Sequence, residues 1–143
     1  MNEQKLHIIP LGGLGEVGKN MMAVEYGENI LVIDAGLMFP ENDMLGIDYI
    51  IPDFQYLLEK RQNIRGIIVT HGHEDHTGAL NHLLEQIIAP IYATPLTRGL
   101  VEVKLSRGGL LNQVSLNTVR AGESVALGPF KIEFFHVCHS IPD

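Results

Sequence analysis

Thr70-His71-Gly72-His73-Glu74-Asp75-His76-Thr77 decides how this chain is read. Three imidazoles and two carboxylates fall within six residues, His71 to His76. The stretch before it, Ile64 to Thr70, is a β-branched apolar run and reads as a buried strand. The stretch after it, Thr77 to Ile88, places Leu80, Leu83, Leu84, Ile87 and Ile88 at helical spacing. The polar cluster therefore sits where a buried strand hands over to a helix, a common position for ligand sites in such sheets. His71 and His73 are two residues apart, so in extended backbone they point to the same side. Asp75 and His76 open the helix and approach from a second direction. Imidazole and carboxylate suit zinc at about 2.0–2.2 Å. Five potential donors exceed what one four-coordinate ion takes, which favours a pair of ions about 3.5–4 Å apart. Glu74 lies between the donors and is not assigned as a ligand.

Outward from the cluster, toward the N-terminus, Leu6 to Leu11 reads as a strand. Met21 to Tyr26 and Ile30 to Ile33 form a hairpin around Gly27-Glu28-Asn29. Phe39 to Pro52 is a loop, and Asp53 caps a short helix from Phe54 to about Arg61. Toward the C-terminus, Ile91 to Thr94 is a strand. Thr94-Pro95 opens a helix, with Thr94 as cap and Pro95 in the first turn, that runs to about Arg107 and is stopped by Gly108-Gly109. Val114 to Val119, Ser124 to Ala126 and Phe130 to Val137 read as further strands. The fold class is α/β (α+β), a mixed sheet with helices on one face.

Composition narrows the function. The 143 residues are 45% hydrophobic and 19% charged, as in a globular domain. No apolar run approaches the ~20 residues of a membrane span. Met1 to Lys5 is polar and lacks a secretory layout, so the reading is cytoplasmic, without membrane partners. Cys138 is the single cysteine, which rules out an internal disulfide and fits a reducing compartment. The formal charge of −7 leaves no basic footprint for nucleic acid within the chain.

His71-Gly-His73-Glu-Asp75-His76 resembles the H-x-H-x-D-H signature of the metallo-β-lactamase superfamily. Three further segments resemble ribonuclease J, a β-CASP member of that superfamily. They are Leu11-Gly-Gly-Leu-Gly-Glu-Val-Gly-Lys-Asn20, the run Asp34 to Asp48 continuing to Ile51-Pro-Asp53, and His139-Ser140-Ile141-Pro142-Asp143. Together these span essentially the whole chain. The resemblance implies an αββα sandwich, of which residues 1–143 are the N-terminal part of the metallo-β-lactamase domain. On that expectation the rest of the domain, a β-CASP domain and a C-terminal domain lie outside the chain, and residues 1–143 alone have little nuclease activity.

The same resemblance implies two Zn2+ ions, one on His71 and His73, the other on Asp75 and His76. His139 completes the first set, and a hydroxide between the ions is the nucleophile. It also implies that Asp34 orients neighbouring groups without ligating. The substrate is RNA, attacked from the 5′ end and internally, in decay and processing, by a homo-oligomer (dimer or tetramer). His136 is read as packed or supporting, Cys138 as a non-ligand, and His7 and His82 as ordinary. His139 lies in a C-terminal segment expected to fray, leaving its site incomplete. A half-sandwich would expose an apolar sheet face and favour association.

Two other readings stay open. H-x-H-x-D-H serves small-molecule hydrolases of thioesterase or lactonase type equally well. A degenerate homologue would bind metal or partners without turnover. Gly13-Leu-Gly15-Glu-Val-Gly18 also fits a dinucleotide fingerprint, with Asp34 about 20 residues on. That motif needs a helix after the glycines, and Met21 to Asp34 reads as a hairpin. Lys19 and Asn20 receive no role from the sequence.

Overall fold

Alternation along the central strands builds the molecule, a computed structural model that describes residues 5–143. The polar reading of Met1 to Gln4 lies outside the described residues. Ile30 and Val32 of β3 (Asn29–Ile33), Ile67 and Val69 in and after β4 (Ile64–Ile68), and Ile91 and Ala93 of β5 (Ile91–Ala93) join one core. The residues between them, Leu31, Ile68 and Tyr92, join a second core on the opposite face. Period-2 patterning thus drives burial on both faces of one sheet.

Six strands lie in the order β1-β2-β3-β4-β5-β6. β1 (Leu6–Gly12), β2 (Met21–Tyr26) and β3 pair antiparallel, then β4, β5 and β6 (Leu116–Thr118) continue in parallel. The first core is closed by α1 (Gln55–Glu59), α3 (Leu80–Leu84) and α4 (Pro95–Arg107), through Leu57, Leu80, Leu83, Leu84, Val101 and Leu105. The second face is covered by a separate hairpin, β7 (Ser124–Leu127) and β8 (Phe130–Glu133). Leu127 and Phe134 bury there against Leu31, Ile68 and Val119. The expected bare sheet face is therefore largely covered, and exposure persists mainly at Leu6 and Ile8 of β1.

Several boundaries differ from the sequence reading for identifiable reasons. The helix expected over Thr77 to Ile88 starts earlier and breaks. α2 spans Glu74–Thr77, and the amide of Ala79 leaves the helix to bond Ala35 O at 2.8 Å. Ile88 is exposed, although Ile87 is buried. β4 ends at Ile68 because the amide of Thr70 turns from the ladder to Asp34 Oδ1, 2.8 Å away. β8 stops at Glu133, and residues 134–143 leave the sheet. Phe54, not Asp53, holds the N-cap position of α1, and Asp53 just before it accepts the Gln55 amide at 2.9 Å. Thr94 provides no side-chain cap to α4; the carboxylate of Asp143 does so instead, accepting the Thr97 amide at 2.9 Å.

The glycine-rich loop carries no helix and leads straight into the β2-β3 hairpin, which removes the dinucleotide reading. Among the described residues no helix is long and apolar enough to cross a membrane.

Candidate metal centre

The ends of β3 and β4 are adjacent parallel strands, so Asp34 and Thr70 emerge side by side. Asp34 adopts a left-handed backbone, φ 61°, which Asp tolerates better than most residues. That turn aims a carboxylate 5% exposed at the start of the next segment. Oδ1 accepts the Thr70 amide at 2.8 Å, and Oδ2 accepts the Thr70 hydroxyl at 2.8 Å. Oδ2 also lies 2.7 Å from Nδ1 of His76.

These bonds set ring orientation. Thr70 has one hydroxyl proton and gives it to Asp34, so toward His71 Nδ1, 3.0 Å away, it acts as acceptor. His71 then carries its proton on Nδ1 and keeps the Nε2 lone pair free. Neutral His76 likewise donates from Nδ1 to Asp34 and leaves Nε2 as the free nitrogen. One buried carboxylate thus orients two imidazoles, directly and through a threonine.

His139, 66 residues beyond His73 in sequence, meets His71 and His73 here. His71 Nε2 and His139 Nε2 each lie 3.1 Å from His73 Nδ1. Ring centroids are 4.7 Å apart for His71 and His139 and 4.1 Å for His71 and His76. His73 Nδ1 holds either one proton or one lone pair, so it cannot satisfy two such neighbours by hydrogen bonding. A cation among three inward lone pairs resolves the conflict. Two donor groups result, His71 with His73 and His139, and His71 with Asp75 and His76, each with ligand atoms within 4.8 Å of one another. His71 faces both groups, where the sequence reading placed it in one. His139, expected to fray, stands in contact with the cluster.

Electrostatics follow from the packing. Burial holds His71 below its ordinary pKa, aided by the charge of His76, His139 and His73 and opposed by Asp34. Neutral imidazole is the ligating form. Burial would lower His76 as well, but the hydrogen bond and charge of Asp34, with Asp75, outweigh it and the net shift is upward.

Asn20 was given no role by the sequence, and it belongs here. Its Nδ2 donates to Asp75 O at 3.1 Å and Asp75 Oδ2 at 3.2 Å, and lies 3.3 Å from His76 Nε2. Its backbone amide also reaches Asp75 O, at 3.0 Å. The glycine loop delivers it: Gly18, at φ 103°, packs so closely on Met38 that a Cβ would come within 2.9 Å. Gly36 matters as much, since a Cβ there would fall 1.6 Å from Asp75 O. Thr70 was the other silent residue. Only its place at the strand end marked it.

The remaining residues fall outside the cluster. Glu74 turns away and pairs with Lys104 Nζ at 2.7 Å. His136 Nδ1 lies 2.9 Å from Asp143 O. His82 stacks near Tyr49, centroids 5.2 Å apart, and Cys138 is exposed and in neither donor group. A cavity of about 370 Å³ adjoins the cluster, lined in part by Phe134, Phe135, Val137 and Ile141.

A six-stranded mixed sheet that gathers imidazoles and carboxylates at its parallel strand ends defines a metal-binding protein of the metallo-β-lactamase fold. The chain belongs to the metallo-beta-lactamase superfamily, which matches it over residues 14–134. It is 44% identical to Ribonuclease J 2 of Staphylococcus epidermidis over 138 residues, 96% of this chain and 25% of that protein. Against Ribonuclease J2 of Bacillus subtilis the identity is 42% over 142 residues, 99% of this chain and 26% of that one. The chain spans about a quarter of the length of these curated relatives. A solved protein of unknown function from Enterococcus faecalis shares the fold at TM-score 0.67. It is 16% identical, with 90% of this chain and 37% of that one covered.

Proposed function

We propose that the cluster holds two zinc ions and that the whole protein is a metal-dependent ribonuclease. His71, His73 and His139 would hold one ion, and Asp75 and His76 the other, with His71 facing both. The observation that carries this is the convergence of two imidazole nitrogens, each 3.1 Å from His73 Nδ1, with no hydrogen-bonding solution. A tetrahedron with zinc–nitrogen bonds of about 2.0–2.1 Å has edges of about 3.3–3.4 Å, near that spacing. When bound, such ions make water nucleophilic near neutral pH and offset charge on phosphate oxygens.

The chain's own groups prepare that chemistry. Asp34 keeps the protons of His71 and His76 on the outer nitrogens, so both rings present lone pairs inward. Asn20 holds the Asp75 carboxylate against rotation. Lys104 draws Glu74 away, which keeps a competing carboxylate out of the donor set. Identity of 42–44% to ribonuclease J proteins across nearly the whole chain supports RNA as substrate; exonucleolytic and internal cleavage in decay and processing belong to the proposal. A cytoplasmic homo-oligomer is part of the same reading.

The cavity of about 370 Å³ beside His139, partly apolar, favours a second reading, hydrolysis of a small thioester or lactone. The deciding experiment is cleavage of 5′-monophosphorylated and structured RNA by the full-length protein, with and without His76→Ala. Cleavage that disappears in the variant supports the ribonuclease. No cleavage by zinc-replete wild type moves the function to small molecules.

A further inference from the structure

His139 reaches the cluster on a strap, residues 134–143, that has no regular structure. One end is pinned by Phe134, which is buried at 8% exposure. Its amide bonds Glu123 O at 3.1 Å, and its carbonyl accepts the Gly122 amide at 2.7 Å. Residues 135–140 are exposed. The other end is pinned at the N-terminus of α4. Asp143 Oδ2 accepts the Thr97 amide at 2.9 Å and takes both the Thr97 and Thr94 hydroxyls. Thr97 is fully buried, so this carboxylate satisfies a hydroxyl that water cannot reach. The positive end of a 13-residue helix adds a favourable field. Ile141 packs over Gly72, its Cδ1 about 3.3 Å from where a Cβ would stand.

We propose that Asp143, Thr94 and Thr97 form a latch that positions His139, so that metal affinity at His71, His73 and His139 is set by the capping of α4. This rests on the metal reading above. His139 lies five residues after one pin and four before the other. Releasing Asp143 removes one of the anchors that flank His139, and the third imidazole must then be ordered more by the ion itself. Asp143 is a positioning residue: its carboxylate bonds Thr94 and Thr97 at the start of α4 and none of the cluster's rings. Because coupling between two sites is reciprocal, a bound ion should in turn tighten the latch.

The test is Co2+ or Zn2+ titration of metal-stripped protein, for wild type, Asp143→Ala, Asp143→Asn, His139→Ala and the double variant Asp143→Ala/His139→Ala. The latch predicts that Asp143→Ala weakens one of two sites about 10–100-fold, as loss of an orienting partner does. Asp143→Asn, which keeps an acceptor oxygen, should recover part of this. The double variant should bind no more weakly than His139→Ala, since the latch acts only through that ring. A second readout needs no metal. In the metal-free protein Asp143→Ala should speed amide exchange at Thr97 and over residues 135–142, and metal should slow Thr97 exchange in wild type. Wild-type affinity in Asp143→Ala, or additive losses in the double variant, would overturn the latch while leaving the metal reading intact. Unchanged exchange in metal-free Asp143→Ala would overturn it too. No metal binding by any form would overturn the metal reading and the latch with it.

Discussion

Oδ2 of Asp34 sits 2.7 Å from His76 Nδ1 and 2.8 Å from the Thr70 hydroxyl, so one oxygen governs two rings. Asn in place of Asp34 keeps a side chain that tolerates the left-handed backbone but offers one acceptor oxygen where three donors converge. We predict that Asp34→Asn folds and loses metal affinity by about 10–100-fold. Calorimetric zinc titration checks this, and wild-type affinity in the variant would remove Asp34 from the site.

Asn20 touches Asp75 through both its side chain and its backbone. Asn20→Ala deletes only the side-chain bonds. Thermal stability should therefore fall little, by about 0.5–1.5 kcal/mol, while metal affinity falls by about tenfold. Equal losses in fold and metal binding would make Asn20 a structural residue only.

A methyl group at Gly36 has nowhere to go. Its position is 1.6 Å from Asp75 O, and the neighbouring amides of Ala35 and Leu37 are already bonded to His76 O and Glu74 O at 2.9 and 3.1 Å. Gly36→Ala should displace α2, destabilising the protein by about 1–3 kcal/mol or more and disrupting the Asp75/His76 donors. Denaturant unfolding and zinc titration on the same sample read both effects. A stable variant with intact binding would show that the segment yields freely.

Glu25, Tyr56 and Lys60 tie β2 to α1, with Lys60 Nζ 2.8 Å from both Glu25 Oε2 and the Tyr56 hydroxyl. Burial would raise Glu25, but the hydrogen bonds from Lys60 and Tyr56 outweigh it and the net shift is downward. A depressed folded pKa gives stability that is present above the ordinary carboxylate range and lost as pH falls through the folded value. Lys60 is raised, chiefly by its bond to Glu25, so its share is lost only as pH climbs through that raised value. Lys60→Met should cost about 0.2–1 kcal/mol at neutral pH, shrinking in acid as Glu25 protonates. A stability difference that stays constant with pH would refute the pairing.

Much of this was legible because the signals are local. The apolar strand runs at residues 30–33 and 64–70 and the candidate donors His71, His73, Asp75 and His76 lie within short windows, and the fold brings these side chains together. What escaped was held by partners distant in sequence. Whether Asn20 meets Asp75, 55 residues away, depends on how the glycine loop closes. The cap of α4 comes from Asp143 and not from adjacent Thr94, because a charged acceptor 46 residues from Thr97 competes better for that amide. The single helix expected after His76 breaks because Ala35 captures the amide of Ala79. Helical spacing picks out Leu80, Leu83, Leu84 and Ile87 as buried, though not the exposure of Ile88, and it cannot report where a backbone proton is diverted.

The most direct measurement is an anomalous-difference map at the zinc edge from crystals grown with zinc. Two peaks should appear, one bounded by His71, His73 and His139, the other by Asp75 and His76. A map with no peak at the cluster, from crystals containing excess zinc, would contradict the two-metal account.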